Sequence, residues 1–466
     1  MKKTILFFGM VMVISTILAQ EKQLEVLIQG MPDGRPVYLS SYYKSEYTRI
    51  DSTTAQNESL YFLTDRSTPG MFRLEFPRYR RLQDGRIADG YIEFIWGSES
   101  FQLIADYADL SGTVTFGDSK ENELLGQFRK YEELYEGKMS AIYPLIERYP
   151  EKDKFMETTY NYFIRLQEER DSTILSLSGR DEDLLASSII RSYRAPVISP
   201  MLESEKRAEF LRTHFFDLAP INEPALLYAP VYNSKVIEYL KLYRNQSYSF
   251  GEQEQAFMEA VDVIMANVSG DPELRSYIVE YLLDGFKSFG MEQIQTYIVD
   301  TYVDETCETD ALTLASERVE GYRKMAVGQT GSDIFIRSST SEMVRLSDVD
   351  AEYVVLVFWA TYCEHCQEFM PKLKEWYQTD RPDNVEVFAV SIDTVYSDWT
   401  RYIQQVNPPW IGAHEPMGWE GKSAEDYNVY ATPTIFLLDR HRKIIAKPYT
   451  LRELKKEIGK VERKFE

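Results

Sequence analysis

Two cysteines separated by two residues are the side chains of this sequence best suited to chemistry. Cys363 and Cys366 follow an apolar run, rich in β-branched residues, that ends at Trp359. After them, between Gln367 and Thr379, large apolar side chains recur at helical spacing. The pattern predicts a buried strand, a tight turn and a helix that begins at Cys363. Two cysteines three positions apart in a first helical turn lie close enough to form a disulfide.

The two sulfurs are expected to differ in reactivity. Cys363 lies at the predicted helix N-terminus, where unpaired N–H groups and the helix dipole favour a negative charge on sulfur. His365, when protonated, acts in the same direction, whereas the like charge of Glu364 opposes it. Cys366 is one turn further into the helix and is expected to be more buried and more protonated. This asymmetry predicts an exposed nucleophile, Cys363, and a resolving thiol, Cys366.

Further motifs surround the cysteines in the last third of the chain. They are Phe358-Trp359-Ala360, Pro371, Ala431-Thr432-Pro433-Thr434, Gly328 and Leu346-Ser347-Asp348. With these motifs the segment resembles the thioredoxin superfamily and, within it, the secreted TlpA/ResA-like thiol-disulfide oxidoreductases. A CxxC pair between a strand and a helix, with a distant Thr-Pro pair before another strand, is a specific combination.

The resemblance implies a thioredoxin-like α/β fold and an enzyme that exchanges disulfides with protein substrates, in the reductase or isomerase direction. It also implies that Pro433 is cis and faces the disulfide, and that Thr432 offers its backbone to an extended substrate. Trp359 and Tyr362 are expected to pack around the site. No cofactor is implied, only an upstream thiol partner, for which a membrane thiol relay is one candidate.

The sequence departs from the family at the acid that serves the resolving cysteine. Thioredoxins place a buried aspartate two residues before the tryptophan, where this chain has Val357. The TlpA/ResA branch usually carries a glutamate three residues after the second cysteine, where this chain has Phe369. The group that moves the proton of Cys366 is therefore unassigned, and Glu368 and a bound water are the candidates.

Other interpretations of the two cysteines fit the sequence less well. A zinc site needs two more ligands, and the residues available for it are scattered along the chain: Cys307, His214, His414 and His441. Periplasmic copper handling through both thiols and His414 is another interpretation. The main alternative function is a periplasmic binding or scaffold protein whose thioredoxin-like disulfide is structural or vestigial. A reduction potential below about −300 mV, the range of structural disulfides, would favour that alternative.

The composition indicates a globular, exported protein. The chain has 466 residues, of which 44% are hydrophobic, and its formal net charge of −22 disfavours binding to nucleic acid or anionic lipid. Two lysines followed by a short apolar core, within Met1 to Ala19, predict a bacterial signal peptide cleaved after Ala19 and hence a periplasmic location. No later run of about 18 apolar residues follows, so the mature protein is expected not to span the membrane.

The third cysteine, Cys307, leaves an odd number of thiols in a chain that is predicted to be exported. Its neighbours are acidic: Asp304, Glu305 and Glu308 lie within three residues of it. Because negative charges disfavour an ionised sulfur, Cys307 is predicted to be an inert small side chain.

Changes in periodicity predict a multidomain chain of four segments. They are a signal peptide at 1–19, a β-rich domain at 20–117, an α-helical domain at 118–325 and a thioredoxin-like domain at 326–466. The β-rich segment has short strands at regular spacing, which predicts an all-β sandwich or barrel. It resembles the N-terminal β module of secreted TlpA-like proteins, and both a docking role and a folded spacer are open to it.

The middle segment has apolar residues at a 3.6-residue period, punctuated by prolines, and one of its amphipathic stretches runs from 272 to 303. Its tyrosines and phenylalanines are interpreted as core residues, the alternative being a groove for unfolded protein. In the last segment, strands are predicted at 353–358, 385–391, 434–438 and 443–447. The insert before residue 434 contains Trp410 and His414, which either border the active-site groove or pack in the core.

Overall fold

The computed structural model describes residues 22–64, 68–81, 87–97, 99–149, 153–219, 221–268, 270–303 and 309–463. The predicted signal peptide at 1–19 and Cys307 lie outside these residues. The chain divides into two compact units, one ending at Leu242 and the other beginning at Tyr243. This division falls inside the predicted helical segment 118–325, so helices belong to both units. The predicted domain limits themselves stay predictions.

Two four-stranded sheets enclose the core at the start of the first unit. The strands are β1 (Lys22–Gln29), β2 (Pro36–Tyr43), β3 (Glu46–Thr54), β4 (Ser59–Thr64), β5 (Gly70–Arg81), β6 (Ile87–Trp96), β7 (Phe101–Asp106) and β8 (Thr115–Gly117). Their orders are β4-β1-β7-β8 and β3-β2-β5-β6. Alternate residues face inward, as Leu24, Val26 and Ile28 do on β1, and both sheets contribute to one apolar cluster. The predicted all-β domain is confirmed, and of the two predicted architectures, sandwich and barrel, the two separate sheets form the sandwich.

Helices complete the first unit. They are α1 (Leu110–Thr113), α2 (Lys120–Arg148), α3 (Lys154–Ser178), α4 (Leu185–Arg191), α5 (Ser204–His214) and α6 (Val231–Lys241). Ser119 caps α2 by accepting a hydrogen bond from the Asn122 N–H. The Asn122 side chain in turn bonds to both backbone groups of Ile95 on β6, each at 2.8 Å. These two bonds anchor the start of α2 to the sheet.

The second unit begins with four more helices of the helical middle region. They are α7 (Phe250–Asn267), α8 (Pro272–Ser288), α9 (Glu292–Tyr302) and α10 (Asp310–Lys324). The prediction of one continuous stretch from 272 to 303 is wrong, because Gly290 adopts φ +66° and ends α8. The Gly290 N–H bonds to Lys287 O and the Met291 N–H bonds to Phe286 O, which is a Schellman closure.

The rest of the second unit is an α/β domain around a five-stranded sheet of order β13-β12-β11-β14-β15. Its elements are β9 (Phe335–Arg337), β10 (Met343–Arg345), β11 (Tyr353–Trp359), α11 (Glu364–Thr379), β12 (Val385–Ser391), α12 (Tyr396–Val406), β13 (Ile411–His414), α13 (Lys422–Asp426), β14 (Thr434–Asp439), β15 (Ile444–Ala446) and α14 (Leu451–Glu462). Strand β11 pairs in parallel with β12 and antiparallel with β14. The edge strand β13 was not predicted.

Strand β11 lies at the centre of this sheet, and each of its seven residues is buried. Successive side chains point to opposite faces, so Val355 and Val357 pack on one side while Leu356 and Phe358 pack on the other. A strand buried on both faces holds the turn that follows Trp359 in a fixed position. In the part of the chain that the structure describes, no helix has the length and apolar character needed to cross a membrane.

Candidate active site

The two cysteines that are predicted to react lie at the N-terminus of α11. Cys363 is the residue that caps the helix, and its Sγ accepts a hydrogen bond from the Cys366 N–H at 3.2 Å. Cys363 is partly exposed, whereas Cys366 has only 1% of its surface exposed. The helix thus begins at Glu364, one residue later than predicted. Its first turn directs a backbone N–H at the outer sulfur, a contact that stabilises negative charge there.

The inner sulfur has the opposite electrostatic environment. Burial raises the pKa of the Cys366 thiol well above its ordinary value, and a hydrogen bond with the Cys363 side chain adds to the rise. Smaller opposing contributions come from the Ala360 backbone and the Thr432 side chain. Cys366 is therefore protonated near neutral pH. This state is expected of a resolving thiol before it attacks the disulfide formed by the outer sulfur.

We expect alkylation to distinguish the two sulfurs. In a reduced Cys307→Ser background at neutral pH, iodoacetamide should label Cys363 at least about a hundredfold faster than Cys366, because only an ionised, accessible thiol reacts. Labelling of Cys366 should rise only at alkaline pH, since its pKa is raised, whereas in urea it should ionise near the ordinary value of about 8.5. Mass spectrometry of digested, time-resolved samples measures both rates. Equal rates in the folded protein would contradict the asymmetry.

The loop before β14 lies against the outer sulfur. The Thr432–Pro433 peptide bond is cis. In the thiol form, Cys363 donates a hydrogen bond to the Thr432 carbonyl at 3.2 Å, although 69 residues separate the two along the chain. Among the described residues, the Thr432 N–H has no hydrogen-bond partner. The loop therefore presents backbone polar groups directly beside the reactive sulfur.

A buried carboxylate, which sequence reasoning missed, positions the turn that carries Cys363. Asp393 is 2% exposed and follows β12. It accepts hydrogen bonds from the Thr361 N–H at 3.0 Å, from the Thr361 hydroxyl at 2.6 Å and from the Ser391 hydroxyl at 2.6 Å. An acid two residues beyond a largely apolar strand was the available signal, because such a position is close to the carboxyl edge of the sheet.

Substitution of Asp393 should weaken the domain. Asp393→Ala leaves the Thr361 and Ser391 donors without their buried acceptor, so we expect a loss of about 2–4 kcal/mol in the free energy of unfolding. The measurement is urea denaturation followed by tryptophan fluorescence. Asp398→Ala is the matched control, because among the described residues the Asp398 side chain makes an exposed ion pair with Arg401, and its loss should change stability by less than about 0.5 kcal/mol. Similar losses in both variants would contradict the role given to Asp393.

Aromatic residues pack beneath the cysteines. Trp359 is 3% exposed, and its ring lies 4.5 Å from that of Tyr402 on α12, centroid to centroid. The Tyr402 hydroxyl is buried with no hydrogen-bond partner among the described residues. Burial first, and then charge on Cys366, raise the pKa of Tyr402 to about 12. Sequence reasoning missed this residue because one tyrosine in an amphipathic helix carries no distinguishing signal.

The predicted supporting residues of α11 lie on the surface. Glu364, His365 and Glu368 are exposed, and Tyr362 is 60% exposed. No hydrogen bond in the described part of the chain joins Glu368 to Cys366, and Phe369 and Val357 are buried where the family has its acids. The role of Glu368 in moving the Cys366 proton stays a prediction.

A cavity of about 460 Å³ opens at this site. The cis-proline loop contributes Thr432 and Pro433 to its lining, and α11 contributes His365 and Glu368. The cavity therefore connects the loop beside the reactive sulfur with two of the predicted supporting side chains.

His414 and Trp410 do not line the cavity beside the cis-proline loop. His414 lines a separate cavity of about 770 Å³, which none of the residues of the cysteine motif lines. Its ring stacks on Trp399, and its Nε2 lies 2.7 Å from the Asp393 carbonyl. Trp410 is buried with its ring edge-on to Tyr377. Of the two alternatives left open for these residues, packing in the core fits this placement. Among the described residues, no group of three histidine, cysteine or acidic side chains is arranged to hold a metal ion.

The comparison with protein families identifies the domain that carries this site. A family model described as thioredoxin-like matches residues 350–444. These residues span β11, the cysteine pair, the cis-proline loop and β14. The C-terminal domain is therefore similar to thioredoxin-like domains.

Curated relatives match part of the chain. The thiol-disulfide oxidoreductase ResA of Bacillus thuringiensis is 25% identical over 139 residues, which are 30% of this chain and 79% of that protein. ResA of Geobacillus kaustophilus is 28% identical over 122 residues, 26% of this chain and 67% of that protein. A solved thioredoxin domain of a thiol-disulfide oxidoreductase from Bacteroides vulgatus has 25% identity and a TM-score of 0.28, covering 29% of this chain and 97% of its own. The curated matches support the predicted enzyme class, thiol-disulfide oxidoreductase.

Proposed function

We propose that this chain is an exported enzyme that exchanges disulfides with protein substrates through Cys363 and Cys366. One observation carries the proposal. The outer sulfur lies 3.2 Å from the Cys366 N–H and 3.2 Å from the Thr432 carbonyl, and the second thiol is buried directly behind it. A nucleophile, a substrate-binding backbone and a resolving thiol thus converge at one partly exposed point.

The first step is attack by the Cys363 thiolate on one sulfur of a substrate disulfide. A bond forms between Cys363 and that sulfur, and the other substrate sulfur leaves as a thiolate that takes a proton from solvent. The N–H of Cys366 stabilises the attacking anion, while the Thr432 backbone holds the substrate chain beside it. The product of this step is a mixed disulfide.

In the second step Cys366 loses its proton and attacks Cys363, forming the Cys363–Cys366 disulfide and releasing the second substrate thiolate. The substrate gains two electrons, and the enzyme loses two. A dithiol partner must then reduce the enzyme to restore it for a reductase cycle. In the isomerase direction, a second substrate thiol instead attacks the mixed disulfide, and no electrons are lost.

The reduction potential of the Cys363–Cys366 pair tests this proposal against the scaffold alternative. The protein is equilibrated in thiol-disulfide buffers of known ratio, and the fraction oxidised is measured by mass spectrometry after acid quenching. A redox-active pair is expected between about −270 and −120 mV, the range from thioredoxin to strongly oxidising relatives. A potential below about −300 mV, together with no turnover of a peptide disulfide, would instead support a structural disulfide.

A further inference from the structure

Within the second unit, the turn between α8 and α9 lies against the cis-proline loop. A Cβ built on Gly290 would lie 3.4 Å from the Cβ of Ala431, the residue immediately before Thr432. Gly290 also has φ +66°, a backbone conformation that other residues adopt only with strain. Close approach and backbone conformation together explain why glycine occupies this position. A helical segment outside the thioredoxin-like sheet therefore touches the loop that faces the reactive sulfur.

Contacts on both sides of this turn fix the helices to the active-site loops. The Asn428 side chain donates a hydrogen bond to the Arg318 carbonyl on α10 at 3.1 Å. The Arg318 guanidinium lies over the Tyr430 ring, with its Cζ 5.1 Å from the ring centroid. The Tyr430 ring also lies edge-on to that of Tyr322. These contacts involve residues just before the cis-proline.

A second set of contacts joins the helices to the segment after β15. Glu292, the first residue of α9, forms a largely buried ion pair with Lys447. The rings of Phe250 and Tyr449 stack with their centroids 3.5 Å apart. The helices are thus held on two sides of the cavity, and the turn between α8 and α9 has a defined position.

The cavity of about 460 Å³ lies between these elements, and its helical wall combines apolar residues with Ser288 and Glu292. Phe250, Phe289, Gly290 and Met291 line it from the helices, and Thr432 and Pro433 line it from the cis-proline loop. Phe289 has 70% of its surface exposed, and Tyr430, which also lines the cavity, has 44% exposed. Two large rings thus stay open to solvent beside the reactive site, although such rings are usually buried.

We propose that the turn between α8 and α9 forms a substrate subsite for an extended polypeptide carrying an aromatic or large aliphatic side chain near its cysteine. The proposal rests on the proposed function and names the substrate class of that same site. An extended chain is the fitting occupant because the Thr432 N–H has no partner among the described residues and can pair with a peptide carbonyl. Its apolar side chain would cover Phe289 and Tyr430.

The charged side chains that line the cavity do not favour a substrate of one sign of charge. His365, Glu368 and Lys372 contribute groups of both signs, and Glu292 and Lys447 neutralise each other. The volume falls within the range of about 300–1,000 Å³ typical of sites that enclose a ligand. The lining therefore supports selection of the substrate by apolar contact.

The test compares two peptides of equal length, each linked through one cysteine in a mixed disulfide with a chromophoric thiol. One peptide has Phe two residues from the cysteine, and the other has Ser there. On the wild-type chain, kcat/KM should be about tenfold higher for the Phe peptide, because the extra ring is buried against Phe289 and Tyr430. Phe289→Ala should bring the ratio close to one, and Phe289→Leu should restore most of it. Phe335→Ala, which removes a ring that is 57% exposed and lines the separate cavity, should keep the wild-type ratio.

The outcomes separate this inference from the proposed function. Turnover of both peptides with the same ratio in wild-type and Phe289→Ala protein would overturn the subsite and leave the enzyme assignment intact. If the wild-type chain turned over neither peptide, the proposed function would fail. The subsite is then judged by fluorescence anisotropy with the Phe peptide whose cysteine is replaced by serine. Affinity lowered about tenfold by Phe289→Ala supports the subsite, and unchanged affinity overturns it.

Discussion

Cys363→Ser should reduce turnover of a peptide disulfide by roughly a thousandfold or more, to the uncatalysed rate, because a serine hydroxyl is not ionised near neutral pH and cannot form the mixed disulfide. The remaining thiol, Cys366, cannot substitute for it. Only 1% of Cys366 is exposed, and burial raises its pKa well above the neutral range. The measurement is release of a chromophoric thiol from a mixed-disulfide peptide under saturating reductant.

Cys307→Ser is the matched control, since it makes the same replacement at the cysteine predicted to be inert. It should keep the wild-type rate. Circular dichroism and urea denaturation of both variants establish that each is folded. Near-wild-type turnover by Cys363→Ser would remove the proposed mechanism, and loss of activity in Cys307→Ser would show that the third thiol takes part.

Cys366→Ser should convert the first step of the reaction into its end point. Attack by Cys363 still forms the mixed disulfide, but no inner thiol remains to resolve it, so the covalent complex accumulates. We expect most of the protein to be trapped within one turnover, compared with a few per cent at most for the wild-type chain. Non-reducing electrophoresis and intact-mass measurement quantify the complex, and dithiothreitol should release it.

The double variant Cys363→Ser/Cys366→Ser is the control for trapping and should form no complex. The buried position of Cys366 suits this experiment, because a hydroxyl replaces a thiol of similar size without changing the exposed surface. Equal trapping by the Cys363→Ser variant would reverse the roles given to the two sulfurs. The same trap, used on an extract of the source cells, recovers the natural substrates covalently.

The resolving thiol lacks the carboxylate that the family usually places beside it. Val357 and Phe369 are buried apolar residues at the two family positions, and Glu368 is exposed at the cavity. The Tyr402 hydroxyl interacts electrostatically with Cys366 and has no hydrogen-bond partner among the described residues. A relatively slow second step is the expected consequence, since a buried thiol without a nearby base loses its proton reluctantly.

Much of the α/β domain that carries the cysteine pair could be predicted from local pattern. The run that ends at Trp359 is a strand buried on both faces, and the helical spacing after Cys366 is α11. These features follow from the local sequence pattern, because the period of apolar residues determines which face of an element is buried. The position of Cys363 at the helix N-terminus follows in the same way, and with it the different exposure of the two sulfurs.

The sequence alone therefore determined the elements that carry the cysteine pair, and it predicted the chemistry that we propose for that pair. The tertiary structure decided which distant groups surround it: Asp393 beneath Thr361, the Thr432 carbonyl beside Cys363, and Gly290 against Ala431. Each of these pairs is separated by 32 to 141 residues along the chain, and no periodicity relates its members. Their proximity depends on strand order and on how helices pack against a sheet, which is settled only when the whole apolar core assembles.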